Sequence, residues 1–139
     1  MSRVVAVSNR VSLPRRGAAP GGLTVGLMAA MKSRGGLWFG WSGETHENVG
    51  PVNLVRRGGI TFATLDFTPA ELELHYQGFC NGTLWPLFHY FLGAFHFFDE
   101  QYESYIAVNQ RFARELMPQL QAGDLIWVHD YHLLPLAQQ

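Results

Sequence analysis

Two short runs in the chain, Val4-Val5-Ala6-Val7 and Leu125-Ile126-Trp127-Val128, are apolar at every position. A strand with one wet face alternates apolar and polar residues. An unbroken apolar run instead fits a strand covered on both faces, as in a parallel sheet between layers of helices. Both runs are therefore expected as buried strands, and what lies between them must supply the covering layers.

Those layers are readable in outline. Gly21-Gly22 opens a helical pattern with Leu23, Leu27, Ala30 and Met31 on one face, closing at Gly35-Gly36. A second strand is expected over 37–41. Residues 52–56 and 60–65 read as a hairpin turned on Gly58-Gly59, because a tight turn of this kind needs positive φ angles. Thr68-Pro69-Ala70-Glu71 then announces a helix. Thr68 can cap it, Pro69 suits its first turn, and Glu71 can reach back to complete a capping box. Its apolar stripe is Leu72, Tyr76 and Phe79. A longer helix is expected over 99–117, with Tyr102, Tyr105, Ile106, Phe112, Ala113 and Leu116 inward.

Strands alternating with helices give an α/β fold with a largely parallel sheet, to which the hairpin adds an antiparallel piece. At 139 residues there is room for one domain, 1–139, with a real core. After the last strand, residues 133–139 begin a helix and stop within two turns, so the chain is expected to be cut short of its complete domain.

Composition excludes several classes of function. The formal net charge of −1 gives no electrostatic case for nucleic acid or an anionic membrane, so any bound anion must be caught by local geometry. Cys80 is the only cysteine, which rules out an intrachain disulfide and argues against a thiolate zinc site. The four apolar residues after Met1-Ser2-Arg3 are too few for a signal peptide or a membrane span. A soluble cytoplasmic protein is the expectation.

Ligands of open parallel sheets bind beyond the carboxyl ends of the strands. Three such ends carry notable residues: Ser8-Asn9-Arg10, Trp41-Ser42-Gly43 and His129-Asp130. Parallel strands would raise all three from one sheet edge, setting a cation, an indole and a carboxylate around one cleft. Arg10 suits a phosphate or carboxylate, since its planar guanidinium donates two parallel hydrogen bonds; a surface arginine near Arg15 and Arg16 is the plainer alternative. Asp130 can accept from sugar hydroxyls or cap the segment after it. Gly21 and Gly22 at a helix start would let a diphosphate approach free backbone N–H groups. Trp41, Tyr76, Trp85 and Tyr90 offer ring walls for a sugar, whereas Trp38, Trp127 and the phenylalanines around Phe95 read as core. His75, His89 and His96 read as structural or exposed. The His129-Asp130-x-His132 spacing invites a metal reading, but no further acidic or histidine cluster lies beside it in sequence, so no metal is expected. By themselves these residues define a phosphate-competent, aromatic-rich cleft without naming a reaction.

Longer motifs go further. Val7-Ser8-Asn9-Arg10, Gly21-Gly22-Leu23, Gly36-Leu37-Trp38-Phe39-Gly40-Trp41-Ser42-Gly43, Leu84-Trp85-Pro86-Leu87-Phe88-His89-Tyr90 and Trp127-Val128-His129-Asp130-Tyr131-His132-Leu133-Leu134-Pro135 resemble, in order and spacing, the trehalose-6-phosphate synthase family of glycosyltransferases. The resemblance runs the length of the chain. It implies the N-terminal, acceptor-side Rossmann-like domain of a two-domain GT-B enzyme, without the C-terminal nucleotide-sugar domain. It implies transfer of glucose from UDP-glucose to glucose 6-phosphate with retention, no metal or other cofactor, and a homo-oligomer at full length. Arg10 and Tyr76 would hold the acceptor phosphate, Trp41, Trp85 and Asp130 the acceptor sugar, and Gly21 and Gly22 the donor. The family's donor-contacting histidine and its diphosphate-neutralising Arg and Lys lie beyond residue 139, so the chain alone is expected to be inactive. A non-catalytic sugar-phosphate-binding module, or a synthase using another acceptor such as glycerol 3-phosphate, are the alternatives. Departures from the family pattern are small: Pro20 before the glycine pair, and Cys80.

Overall fold

The computed structural model describes residues 2–12, 22–32 and 35–139. Of the sequence-derived readings, Gly21, Pro20, the side chain of Leu23, and Arg15 and Arg16 lie outside the described residues.

Five strands form one sheet in the order β3-β4-β2-β1-β5. They are β1 (Val4–Arg10), β2 (Gly36–Thr45), β3 (Asn53–Arg57), β4 (Ile60–Phe67) and β5 (Leu125–Val128). β1 runs parallel to both β2 and β5, and β2 is parallel to β4. β3 alone is antiparallel, joined to β4 by the expected glycine turn, with φ of +56° at Gly58 and +80° at Gly59. The chain therefore winds outward from β1 through β2 to β4, then returns to place β5 on the other flank of β1. That reversal beside β1 is a topological switch point, where a crevice opens beyond the carboxyl ends of the strands.

The apolar pattern of the strands accounts for the layers. On one face Ala6, Trp38, Ile60 and Phe62 pack on Leu27 and Met31 of helix α1 (Gly22–Lys32). On the other, Val5, Val7, Leu37, Phe39, Trp41, Leu65 and Phe67 meet Val108, Phe112 and Leu116 of α3 (Asp99–Leu116). Between these helices the chain forms a π-helix, Glu71–Leu84, followed by the short α2, Trp85–Phe88. The capping box forms as expected: the Thr68 N–H donates to Glu71 Oε2 at 2.9 Å, and the Glu71 N–H to Thr68 Oγ1 at 3.1 Å. Arg111 of α3 pairs with the same Glu71 oxygen at 2.7 Å, which ties the start of the π-helix to α3. No described helix is long and apolar enough to cross a membrane.

Four expectations about burial are corrected. β5 is exposed along its length, from 59% at Leu125 to 36% at Val128, and Trp127 is 48% exposed. It pairs with β1 at the margin of the sheet, and an apolar run reports what a strand needs, not what covers it. Phe91, Phe95, Phe97 and Phe98 are likewise exposed, since the segment between α2 and α3 passes over the surface instead of entering the core. On α3 the inward face turns from Tyr102, which is exposed, toward Val108 and Asn109. On α1 Ala30 faces outward, and the inward stripe runs through Thr24, Leu27 and Met31.

Candidate functional site

The parallel register carries the ends of β1, β2 and β5 to one edge of the sheet. In the crevice between β1 and β5 lies a pocket of about 320 Å³. Arg10, Gly22, Tyr76 and Asp130 all line it, together with Ser8, Asn9, Thr24, His129 and His132. Residues from four separate elements thus converge on one cavity, which is the arrangement that the strand ends imply.

Each side chain arrives for a local reason. Past Val7 the β1–β2 register shifts, and β1 extends to Arg10. Ser8 Oγ donates to the Arg10 carbonyl at 2.8 Å and accepts from Trp38 Nε1 at 2.8 Å, fixing the strand end from inside the sheet. The Arg10 guanidinium is exposed and carries no ion pair among the described residues; it lies over the Trp41 ring. Trp41 itself is almost fully buried, stacked on Phe67 with 4.8 Å between ring centres and with its Nε1 donating to the Glu44 carbonyl at 2.7 Å. It forms the floor beneath Arg10 rather than part of the pocket lining.

Tyr76 projects from the π-helix, packs 5.7 Å from Trp41 and stacks on His132 at 5.8 Å. His132 stacks in turn on Tyr131, and Tyr131 lies 6.0 Å from Trp85. Trp85, half-exposed at the head of α2, therefore reaches the site through Tyr131 and does not line the pocket.

Asp130 follows β5 with φ +73°, a left-handed conformation that costs a residue with a Cβ. Its Oδ1 accepts from the Tyr131 N–H at 2.8 Å, so the carboxylate caps the short helix Tyr131–Leu133. The capping alternative is therefore realised at Asp130, which also lines the pocket.

Burial biases the histidines beside it toward the neutral form. Burial pushes both His129 and His132 below the ordinary imidazole value, against the opposing pull of Asp130. His129 Nε2 and His132 Nδ1 are buried with no hydrogen-bond partner among the described residues. No group of three His, Cys, Asp or Glu side chains is arranged to hold a metal ion among the described residues. The structural reading of His75 is confirmed: it is fully buried, with Nε2 3.2 Å from Asn9 Oδ1, and burial lowers it to about 3. Thr24 lines the pocket from α1 without having been singled out in the sequence; its only signal there is a polar residue on the inward face of an apolar helix.

Gly22 opens α1 at the rim of the pocket. Among the described residues a Cβ placed there would meet nothing within 4 Å, so their packing does not require glycine at this position.

The sequence profile of glycosyltransferase family 20 matches residues 9–139. Trehalose-6-phosphate synthase of Escherichia coli strain K12 is 46% identical over 140 residues, covering 100% of this chain and 30% of that protein. Among solved structures, an alpha,alpha-trehalose-phosphate synthase (UDP-forming) from Burkholderia vietnamiensis superposes with a TM-score of 0.93 at 46% identity, covering 99% of this chain and 31% of the other. The Burkholderia xenovorans enzyme in complex with glucose-6-phosphate gives a TM-score of 0.88 at 42% identity, covering 99% and 30%. The chain thus spans about 30% of the length of the curated relatives that it matches.

Proposed function

The chain belongs to glycosyltransferase family 20, and from that premise we propose that it forms the acceptor side of an enzyme that moves glucose from UDP-glucose to glucose 6-phosphate, with retention, giving trehalose 6-phosphate. The observation that carries this reading is the convergence of Arg10, Tyr76 and Asp130 on one pocket at the switch point of the sheet.

In this reading the Arg10 guanidinium takes the acceptor phosphate by paired charge-assisted hydrogen bonds, and the Tyr76 hydroxyl assists. The Asp130 carboxylate accepts from acceptor hydroxyls. Trp41 holds Arg10 in place from below, and Trp85, joined through Tyr131, closes the sugar side. Gly22, at the N-terminus of α1 where free N–H groups favour negative charge, receives the donor with Gly21. The reaction uses no metal ion or other cofactor in this scheme, and the cations that neutralise the departing diphosphate come from outside these residues. The working enzyme is a cytoplasmic homo-oligomer.

Calorimetric titration of the chain with glucose 6-phosphate, with glucose as control, tests the acceptor assignment. Saturable binding of the sugar phosphate and none of glucose is expected. A folded chain that treats the two alike would remove Arg10 from the centre of the site.

A further inference from the structure

We infer that Tyr105 and Asn109, on α3, are positioning residues that hold the turn presenting Asp130 to the pocket. The two are one helical turn apart on the same face, and both are buried, Asn109 completely. The Tyr105 hydroxyl donates to the Tyr131 carbonyl at 2.8 Å. Asn109 Nδ2 donates to the Tyr105 carbonyl at 2.9 Å and to the His132 carbonyl at 3.1 Å. Two consecutive carbonyls just past Asp130 are thus pinned from α3, while the His129 N–H is pinned to the Val7 carbonyl at 2.8 Å on the other side. Asp130 is the link between these anchors, and its left-handed backbone is kept by them.

The same pair reaches the other half of the site. The Tyr105 ring stacks on His75 at 5.7 Å, and His75 contacts Asn9, the neighbour of Arg10, at 3.2 Å. A buried strut therefore runs from the strand end bearing Arg10, through His75, to the turn bearing Asp130. Its cost is visible: Asn109 Oδ1 is buried with no partner among the described residues. An unsatisfied buried acceptor opposes folding, so the asparagine is kept at a cost to stability. What the asparagine adds is a donor aimed at the His132 carbonyl.

This inference rests on the acceptor reading of Asp130, and its test separates the two. Affinities for glucose 6-phosphate and for inorganic phosphate are measured on the chain and on its Asn109→Leu and Tyr105→Phe variants. Inorganic phosphate reports the Arg10 end, and the ratio of the two affinities reports the sugar contacts. The ratio should fall about tenfold in Asn109→Leu and severalfold in Tyr105→Phe, with phosphate affinity kept. A merely structural role would shift both affinities together and leave the ratio alone. Tyr105→Phe keeps the ring and its stack on His75, so it decides the matter should Asn109→Leu fail to fold. An unchanged ratio in folded Tyr105→Phe would overturn the inference. An unmodified chain that holds glucose 6-phosphate no better than phosphate would overturn the acceptor reading instead. The geometry is then decided by the crystal structure of Tyr105→Phe, where a Tyr131 carbonyl and an Asp130 φ that have not moved would also sink the inference.

Discussion

The guanidinium carbon of Arg10 stands 5.7 Å from the centre of the Trp41 ring, and that ring lies flat on Phe67 with only 5° between their planes. The cation is therefore seated on a rigid aromatic stack that is part of the core, a contact worth about 0.5–1 kcal/mol at an exposed site. Arg10→Ala should leave the fold intact, since the side chain is exposed. Its melting temperature should stay within a degree or two of the parent, as for most surface changes. Glucose 6-phosphate affinity should fall by roughly thirty- to a hundredfold, equivalent to about 2–3 kcal/mol for a charge-assisted pair. Calorimetry beside a thermal melt checks both; unchanged affinity would end the phosphate role.

Gly43 guards the same cation. A Cβ there would lie 2.8 Å from both Arg10 Nε and Nη2, and Gly43 has φ of +93°. Gly43→Ala must therefore strain the backbone, by about 1 kcal/mol or more, and push the guanidinium from its seat. The expected result is a modest loss in urea-denaturation stability together with weaker sugar-phosphate binding. Binding at the parental level would show that Arg10 does not need this seat.

Two other glycines should respond in opposite ways. A Cβ on Gly40 would collide with the backbone carbonyl of Ser8, where the β1–β2 register shifts, and no side-chain movement can relieve that clash. Gly40→Ala should cost about 2–3 kcal/mol or prevent folding. At Gly22 a Cβ would meet nothing within 4 Å among the described residues, and Gly22→Ala should change stability by no more than about 0.5 kcal/mol. Urea denaturation of the two variants side by side checks the contrast.

Local signals in the sequence translated into structure most faithfully. Gly58-Gly59 and Thr68-x-x-Glu71 specify their turn and cap through bonds within a few residues, and both form as read. Arg10 and Asp130 are readable as a pair from parallel strands, because the strand ends then share an edge. Burial of β5 was not readable, since an apolar run cannot say whether a covering layer is at hand. The place of Trp41 under Arg10 depends on which way one strand residue faces after a register shift. In the sequence Asn109 is one polar residue within the helix and carries no signal of its own. Its meaning rests on a carbonyl that is distant in sequence, at His132. The left-handed backbone of Asp130 has no glycine to announce it.

Acid should weaken the fold well before the carboxylates titrate. His75 is fully buried against Phe67 and Tyr105, and burial, with a smaller push from His132, lowers its imidazole to about 3 from the usual 6.5. The folded chain therefore keeps His75 neutral across a range in which the unfolded chain takes up a proton. The stability due to this group is complete above pH 6.5 and is lost progressively as pH falls from there toward 3. His132 and His129, also lowered, act in the same direction. Each such group can contribute a slope of up to about 1.4 kcal/mol per pH unit. Asp124, paired with Arg3 at 2.6 Å and held below its ordinary value, adds its loss only at lower pH. Urea denaturation at a series of pH values should show stability declining between about pH 6.5 and 4.5. His75→Gln keeps an uncharged amide near Asn9 and should flatten that decline by about one proton's worth while lowering stability at neutral pH. A variant with the parental slope would mean that His75 is not the group held neutral by burial.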